Sequence, residues 1–401
     1  MLYFTENKHD CTGCGACMAA CPKNCISMQK DKEGFMYPVA SDACIHCGRC
    51  QRVCPLQNTR EAAAEDEFAQ RAFCAVTRNQ SVWQRSASGG AFTEICRAFG
   101  DSDTIICGAA WDGLRVHHIC VEGVEAIAPL CKSKYVASDT ENTFAEIKAY
   151  LKAGRKVIFC GTPCQVAGLK RSVGKGSDNL LCIDLICHGV GSPDVFMACM
   201  QSIGEQFSAT VQSYEFRAKR PAYESDHIQK IDTGNGRQLY LVNDPYIQLF
   251  LKQNCLRPSC GQNCRFRCEQ RQGDITIADF KGLTDVFPNL LGNKRNYSSV
   301  IFNTPKGYSL LLALQKSMTM YPCAIADIKK HNPLFYRQTW FSVTRDAFFE
   351  AFRTDPHRTI EQYTKPAQVQ NISWKRRIWM LLPQAVRREL LHRIKRGGGG
   401  N

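Results

Sequence analysis

The residues best suited to chemistry are two runs of regularly spaced cysteines near the N-terminus. The spacing C-x2-C-x2-C-x3-C-P occurs at Cys11, Cys14, Cys17 and Cys21, and again 33 residues later at Cys44, Cys47, Cys50 and Cys54. Three thiolates spaced three residues apart can wrap one face of an iron–sulfur cubane, with Gly15 and Gly48 relaxing the backbone. The fourth cysteine is carried by the following turn to the other cluster.

This spacing predicts two [4Fe–4S] clusters with exchanged fourth ligands. One is expected on Cys11, Cys14, Cys17 and Cys54, and the other on Cys44, Cys47, Cys50 and Cys21. Zinc is the alternative, but zinc sites usually pair two separated C-x2-C hooks. Cys25 lies outside the spacing, so we interpret it as a packed thiol.

Length and composition favour a globular protein of two or three domains. A chain of 401 residues with 44% apolar content is longer than a single hydrophobic core usually accommodates. The start MLYFTENKHDC has no apolar signal-peptide region, and no stretch reaches about 18 uninterrupted apolar residues. We therefore expect the reducing cytoplasm, where clustered cysteines are more often metal ligands than disulfides.

The net charge of +14 is unevenly distributed, because +7 of it falls in residues 374–401. Apolar residues alternate with Arg and Lys there, as in a basic amphipathic helix, with a break or a start at Pro383. Such a helix packs on its own domain, or it contacts an anionic membrane surface or a protein partner. Nucleic acid is the least favoured partner, because the sequence contains no recognised nucleic-acid-binding motif.

The rest of the chain alternates short β-branched or aromatic runs with helical patterns, which predicts an α/β core with a largely parallel or mixed sheet. The stretch NTFAEIKAYLKAGRKVIFCGTP reads as a helix closed by Gly154 and then a buried strand that delivers Gly161 to a loop. Cofactors in open α/β sheets lie at such strand ends. The overall fold class is α+β or α/β.

Several motifs resemble the coenzyme F-420 hydrogenase/dehydrogenase beta-subunit family, in the bacterial branch with an N-terminal two-cluster ferredoxin domain. They are SASGGAF, KSKYVAS, VIFCGTPCQVAGLK, DLICHGVGSP, CLRPSC and DITIADFKG, in the family's order, and the resemblance runs from Cys11 to about Trp340. It implies FAD beside a [4Fe–4S] cluster and hydride transfer to or from a partner such as the 5-deazaflavin coenzyme. Plant and cyanobacterial relatives reduce 7-hydroxymethyl chlorophyll with electrons from ferredoxin.

The resemblance also implies a domain organisation. We expect a two-cluster ferredoxin-type domain over 1–60 and a linker over 61–72. The N-terminal and C-terminal regions of the beta-subunit family follow over 73–150 and 151–325. A helical basic extension with a disordered glycine tail occupies 326–401.

A third [4Fe–4S] cluster is implied on Cys164, Cys187, Cys260 and Cys264. The pair Cys260 and Cys264 gives C-x3-C where the family has C-x2-C, so Cys255 and Cys268 stay open as substitutes for Cys260. Independent buried thiols and a zinc site are the other interpretations. The remaining cysteines are expected in the core, at Cys74, Cys96, Cys107, Cys120, Cys131, Cys160, Cys182, Cys199 and Cys323.

Flavin contacts are expected from glycine-rich and strand-end positions, namely Ser88, Gly89, Gly90, Lys134, Tyr135, Gly161, Thr162 and Pro163. Backbone N–H groups of the SGG motif can bind a pyrophosphate at a helix start, and an ordinary N-cap on Ser88 or Ser86 is the alternative. His188 and Asp279 are candidate proton donors by motif position.

The sequence thus predicts an iron–sulfur flavoprotein oxidoreductase that passes electrons from a ferredoxin-like donor to FAD and a small organic substrate or deazaflavin-type coenzyme. The alternative is an electron-transfer subunit of a larger redox complex with no substrate of its own. Peripheral membrane contact through the basic tail and an oligomeric state both remain open.

Overall fold

The computed structural model describes residues 6–57, 68–174, 178–219, 228–261, 264–291, 295–337 and 342–369, together with Leu382 and Val386. Its strands are β1 Ile26–Lys30, β2 Met36–Ala40, β3 Arg71–Thr77, β4 Ile105–Asp112, β5 Arg115–Glu122, β6 Val157–Cys160, β7 Leu180–Leu185, β8 Val211–Glu215, β9 Gln229–Thr233, β10 Gln238–Val242, β11 Ile275–Asp279, β12 Ser298–Phe302, β13 Met318–Cys323 and β14 Gln368–Val369.

Helices surround these strands. They are α1 Ala16–Ala19, α2 Arg49–Arg52, α3 Gln80–Gln84, α4 Ala91–Phe99, α5 Thr143–Lys152, α6 Pro163–Val173, α7 Pro193–Gln206, α8 Pro245–Leu251, α9 Leu283–Val286, α10 Pro305–Tyr308, α11 Leu311–Ser317, α12 Ile325–His331, α13 Arg345–Thr354 and α14 Pro356–Tyr363.

The main sheet has eight strands in the order β13-β3-β12-β11-β7-β6-β4-β5. The four strands β4, β6, β7 and β11 are parallel, and antiparallel strands complete both edges. This mixed α/β sheet confirms the predicted fold class. The parallel block brings the carboxyl ends of β6, β7 and β11 to one edge, where the segments carrying Cys164 and Cys187 begin.

The N-terminal region packs directly onto the α/β core. Cys14 and Ala16 belong to the same apolar cluster as Phe144, Ile147 and Phe159, and all five are buried. Each fully buried large apolar side chain contributes about 1.5–3 kcal/mol to stability. The two-stranded sheet β1-β2 and the loops that carry the N-terminal cysteines are thus anchored on α5 and α6.

A second, four-stranded sheet follows the order β14-β10-β9-β8, and the C-terminal helices pack beside it. Phe348 and Phe349 of α13 and Ile360 of α14 lie in one core cluster with residues of α7. The predicted helical extension therefore begins as part of the core. The basic amphipathic stretch after it lies outside the described residues, apart from Leu382 and Val386.

Most predicted core thiols are buried, and Cys74, Cys96, Cys182 and Cys199 are fully so. Cys107 and Cys120 differ from the prediction of free core thiols, because they form a disulfide. The antiparallel register of β4 and β5 places the two residues directly opposite each other, where side chains of paired strands approach most closely. Among the described helices, none is both long and apolar enough to span a bilayer.

Candidate iron–sulfur centres

The first predicted cysteine set gathers around the start of α1. Gly15 precedes the helix in the left-handed conformation, with φ of 79°, and lets the chain turn between the cysteines. Burial is the main cause that raises the pKa of Cys14 to about 12, and the charges of Cys54 and Cys11 contribute to that rise. Burial also raises the pKa of Cys17, and Cys14, Cys11 and Cys54 add to that rise. The structure therefore brings Cys54 to the first three cysteines, as the repeat predicts.

The second set lies closer to the surface. Burial raises the pKa of Cys50, and the charges of Cys44 and Cys47 act in the same direction, so these three thiols are neighbours. Cys21 packs in the same small apolar cluster as Cys44 and Cys50. Among the described cysteines of the three sets, Cys47 is the one exposed to solvent.

Cys25, which we interpreted as a packed thiol, is buried beside the second set. Its Sγ atom lies 3.3 Å from the Sγ atom of Cys21. The hydrogen bond to Cys21 is the main cause that raises the pKa of Cys25 to about 11. The thiol of Cys25 can therefore donate a hydrogen bond to a cluster ligand without being one itself.

The third predicted set lines a cavity of about 390 Å³ at the carboxyl edge of the parallel strands. Cys164 stands in the first turn of α6, Cys187 follows β7, and Cys260 ends the 3-10 turn Pro258–Cys260. Burial raises the pKa of Cys164, Cys187 and Cys260, and the neighbouring thiols, Cys264 among them, raise it further. The structure thus brings all four thiols together.

The two substitutes for Cys260 lie elsewhere. Cys255 is fully buried in the apolar core around α7 and α8. Cys268 donates a hydrogen bond from its Sγ to the carbonyl oxygen of Gln270. Neither is among the described residues that line the cavity, whereas Cys260 is. The C-x3-C spacing therefore presents both Cys260 and Cys264 to it.

The donor set of this cavity fits an iron–sulfur cluster. Four thiols are the ligands that a [4Fe–4S] cluster requires. Ser259 also lines the cavity, and its buried hydroxyl has no hydrogen-bond partner within the described structure, so it can donate to a cluster sulfur. No three His, Cys, Asp or Glu side chains of the described residues converge on one ion-sized point.

The predicted pyrophosphate contacts of the SGG motif are used within the protein. Ser88 donates its hydroxyl hydrogen to the carbonyl oxygen of Tyr297 at 2.7 Å, and the N–H of Gly89 donates to Ser298 Oγ at 2.9 Å. The glycines allow α4 to lie against β3 and β12, because a Cβ at Gly89 would stand 2.3 Å from Ala75 O. The Gly89 N–H is thus engaged by Ser298 in this structure, and the assignment of this motif to a pyrophosphate stays a prediction.

The alternative interpretation of that motif as a serine N-cap is incorrect. Gly90 is the N-cap residue of α4, and no side chain caps the helix. Ser86 donates its hydroxyl to the carbonyl oxygen of Val82 instead. Local sequence identifies the start of the helix here, but the tertiary partners decide how its backbone groups are used.

The other flavin candidates divide between core and cavity. Lys134 donates from Nζ to the carbonyl oxygens of Pro129 at 3.0 Å and Cys131 at 2.7 Å, and burial lowers its pKa to about 8. Tyr135 stacks on Phe250 with ring centroids 5.0 Å apart.

At the strand end, Gly161 packs against the ring of Phe159, and a Cβ there would lie 2.8 Å from it. Thr162 and Pro163 line the cavity beside Cys164. Of the eight candidates, these two are the ones at the cavity.

The two candidate proton donors have structural partners. Burial lowers the pKa of His188 to about 4, so its imidazole is neutral at pH 7, and its Nε2 lies 3.2 Å from the carbonyl oxygen of Phe250. Asp279 forms an ion pair with Arg217. Neither His188 nor Asp279 belongs to the described lining of the cavity. Their roles as proton donors stay predictions.

Arg257 is a buried site residue that the sequence did not single out. Its Nε donates to the carbonyl oxygen of Cys11 at 2.9 Å, and it lines the cavity of the third set. The only available signal was its position inside CLRPSC, next to Pro258 and three residues before Cys260.

The structure presents two N-terminal cysteine sets and a third set in a cavity at the edge of the parallel strands. This arrangement is typical of an iron–sulfur electron-transfer protein. Residues 10–58 match the model of the 4Fe-4S dicluster domain. Residues 154–327 match the model that describes the C terminus of the beta subunit of coenzyme F420 hydrogenase/dehydrogenase. The chain thus joins a dicluster domain to a segment that matches the C-terminal domain of this oxidoreductase beta subunit.

Individual relatives are distant. The coenzyme F420-dependent sulfite reductase of Methanocaldococcus jannaschii is 22% identical over 317 residues, 76% of this chain and 46% of that protein. An uncharacterized protein of the same organism is 20% identical over 330 residues, 74% of this chain and 84% of its own length. Subunit alpha 1 of the acetyl-CoA decarbonylase/synthase complex of Methanosarcina barkeri is 33% identical over 76 residues, 17% of this chain and 9% of that subunit. The chain spans less than half the length of the first and third of these relatives.

Among solved structures, a chain of the F420-reducing [NiFe] hydrogenase complex from Methanosarcina barkeri is similar, with a TM-score of 0.43 and 14% identity. The similarity covers 75% of this chain and 93% of that chain. At this level it supports no conclusion about the present site.

Proposed function

We propose that the chain is an iron–sulfur flavoprotein oxidoreductase. In this proposal the three cysteine sets hold three [4Fe–4S] clusters, FAD lies beside the third, and the final acceptor is a small organic substrate or a deazaflavin-type coenzyme. The observation that carries it is the adjacency of two sets. One apolar cluster contains Leu56, Ala167 and Phe266 together with Cys54, Cys164 and Cys264. Ligands expected for two different clusters thus share one contact surface.

The three cysteine sets differ in how deeply they are buried, and this difference suggests the path that electrons take from the surface to the cavity. The second set has the exposed Cys47, the first set has the buried Cys11 and Cys14, and the third set lines the cavity. When bound, the clusters would pass single electrons and FAD would exchange one electron at a time for a two-electron hydride. The protein's part is to hold the three sets in series between surface and cavity.

The cavity supports an organic cofactor or substrate next to the third set. The four thiols of the third set line the same cavity of about 390 Å³, so in this proposal it receives the third cluster together with the reacting end of the organic cofactor or substrate. Its lining includes Thr162 and Pro163 at the carboxyl end of β6, where open α/β sheets bind cofactors. FAD is the cofactor we propose, because cluster chemistry alone cannot deliver a hydride.

The exposed rim of the second set is the proposed contact for a ferredoxin-like donor. Ile45 is 55% exposed, and Arg49 and Arg52 of α2 are exposed near Cys47. An apolar centre with basic neighbours suits a small acidic iron–sulfur protein. We place this exchange in the cytoplasm, where a reducing environment keeps so many cysteines available for iron.

A second candidate is an electron-transfer subunit with no substrate of its own. The matched model describes a beta subunit, and one similar protein is a subunit of the acetyl-CoA decarbonylase/synthase complex. In that case a partner subunit would carry the chemistry that the cavity carries in our first proposal.

Anaerobic reductive titration of the purified chain separates the two. Three one-electron clusters and one FAD should accept about five electrons per chain, and denaturation should release a yellow flavin. Uptake of about three electrons with no flavin would favour the electron-transfer subunit. Uptake of about two would contradict the third cluster and with it both forms of the proposal.

A further inference from the structure

Arg257 is a buried cation held without a carboxylate partner in the described structure. Only 3% of the surface of Arg257 is exposed to solvent. Its Nη2 donates to the carbonyl oxygen of Met36 at 2.9 Å, and its Nε donates to Cys11 O. Its Cζ atom lies 4.3 Å from the ring centroid of Tyr37 and 5.4 Å from that of Phe35. Two carbonyl oxygens and two aromatic faces fix the guanidinium but do not neutralise it.

The side chain of Arg257 contacts the first cysteine set, and its residue lines the cavity of the third set. Its Nη2 is 3.7 Å from the Sγ atom of Cys11. Its own carbonyl oxygen accepts a hydrogen bond from the N–H of Cys260 at 2.9 Å, so one turn carries both the cation and a thiol of the third set. Both expected clusters are therefore neighbours of one fixed positive charge.

Gly13 makes this approach sterically feasible. Its φ of +68° is left-handed, and a Cβ built there would lie 2.8 Å from Nη1 of Arg257. Any other residue at position 13 would push the guanidinium away from the cluster-binding loop. Two buried hydroxyls next to Arg257, those of Tyr37 and Ser259, have no hydrogen-bond partner within the described residues. Buried donors without acceptors near a buried cation indicate that anionic groups belong in this space.

We infer that Arg257 is the shared counter-charge of the first and third cysteine sets, and that it sets the reduction potential of the clusters they bind. This inference rests on the proposed function. Reduction adds one electron to a cluster and makes or breaks no bond, so the negative charge of the site rises by one. A fixed cation in a poorly screened interior stabilises that added charge. Arg257 thus acts as a positioning residue that keeps both sites reducible.

The test is a potentiometric titration followed by electron paramagnetic resonance, with iron counted in every sample. Arg257→Gln should keep about twelve irons and lower the reduction equilibrium constant of the first and third sets about tenfold, which is about 59 mV for a one-electron couple. The second set is the internal reference and should not move. Arg257→Lys should restore most of the loss, because it keeps the charge.

Arg345 supplies the matched control for a loosened interface. It is equally buried, and it also joins the two parts of the chain, through an ion pair with Glu33 of the N-terminal region. Arg345→Gln should lower stability without the selective fall in the first and third potentials. If Arg257→Gln does not bind twelve irons, Gly13→Ala replaces it, because the added methyl displaces the guanidinium while the charge stays in the chain.

Different outcomes test the proposed function and the role of Arg257. A wild-type chain with about eight irons would contradict the third cluster and therefore the proposed function. Twelve irons with potentials unchanged in Arg257→Gln, or in Gly13→Ala where that variant is used, would overturn only the role of Arg257. An equal fall in Arg345→Gln would overturn it as well, since a general loosening would then explain the shift.

Discussion

Gly168 of α6 leaves just enough room for Cys14 of the N-terminal region, since a Cβ at Gly168 would stand 2.8 Å from the Sγ atom of Cys14. The same Cβ would lie 3.2 Å from the Cβ of Ala16. The helix that begins at the third cysteine set therefore supports the first set along its side. This contact explains how two sites far apart in sequence are fixed relative to each other.

Gly168→Ala should destabilise the protein although alanine favours a helix by about 1 kcal/mol over glycine. The added methyl must displace Cys14, and overpacking of this kind costs about 1–3 kcal/mol. We expect a lower denaturant midpoint and a partial loss of the four irons of the first set. Gly234→Ala is the control, because a Cβ there meets its nearest atom at an ordinary 3.5 Å. A variant at Gly168 that is more stable and fully loaded would refute the contact.

Glu33→Gln should loosen the N-terminal region from the core. Glu33 Oε2 pairs with Arg345 Nη2 at 2.6 Å, and both side chains are mostly shielded from solvent. Breaking a buried pair leaves an uncompensated cation and should cost about 3 kcal/mol in the free energy of unfolding, measured by urea titration. Lys156→Gln removes an exposed pair with Asp101 and should change it by less than about 1 kcal/mol. Similar effects of the two substitutions would contradict this account.

Stability should fall on mild acidification because of His118. Burial, with a contribution from the charge of Lys134, lowers the pKa of this histidine to about 4, so the folded protein holds it neutral at pH 7. The unfolded chain takes up the proton below about pH 6.5, and this stabilisation is therefore complete above that pH and lost as the pH falls toward 4.

Between pH 7 and pH 5 we expect a loss of about 2 kcal/mol from this residue. His118→Phe keeps a ring against Phe159, which stacks on the imidazole with centroids 5.5 Å apart, and removes the titrating group. The difference between wild type and variant in urea unfolding at the two pH values measures the effect. Equal slopes with pH in both proteins would show that His118 does not contribute.

Ile45→Glu should slow reduction of the protein by an acidic iron–sulfur donor. Ile45 is exposed beside Cys47, and a carboxylate there would repel an acidic partner and remove apolar contact. We expect a fall of about tenfold or more in the second-order rate constant at low salt, measured by stopped flow, and a smaller fall at high salt. Leu312→Glu alters another exposed apolar residue, on α11, and should leave the rate unchanged. Equal rates in all three proteins would place the donor elsewhere.

Local spacing allowed the cysteine groups to be predicted, because a C-x2-C-x2-C run fixes which thiols a short turn can bring together. It also predicted the exchange of Cys54 into the first set. It could not choose among Cys255, Cys260 and Cys268, since each choice is a plausible loop and only the packing of the 3-10 turn before Gly261 decides. The clusters themselves stay predictions.

Long-range partners explain the remaining differences. The N–H of Gly89 resembles a phosphate donor in sequence, and Ser298 takes it in the fold. Lys134 resembles a surface cation, and three backbone carbonyl oxygens surround it. The role of Arg257 could not be predicted from local sequence, because its partner Cys11 lies 246 residues away. Residues whose roles depend on tertiary contacts of this kind need the structure.

The measurement that tests the central claim most directly is the iron and sulfide content of anaerobically purified chain, compared between Cys260→Ala and Cys255→Ala. Wild type and Cys255→Ala should each contain about twelve irons, since Cys255 lies in the core away from the cavity. Cys260→Ala should fall toward about eight, because the third set loses a ligand. About eight irons in wild type, with no further loss in Cys260→Ala, would contradict the account.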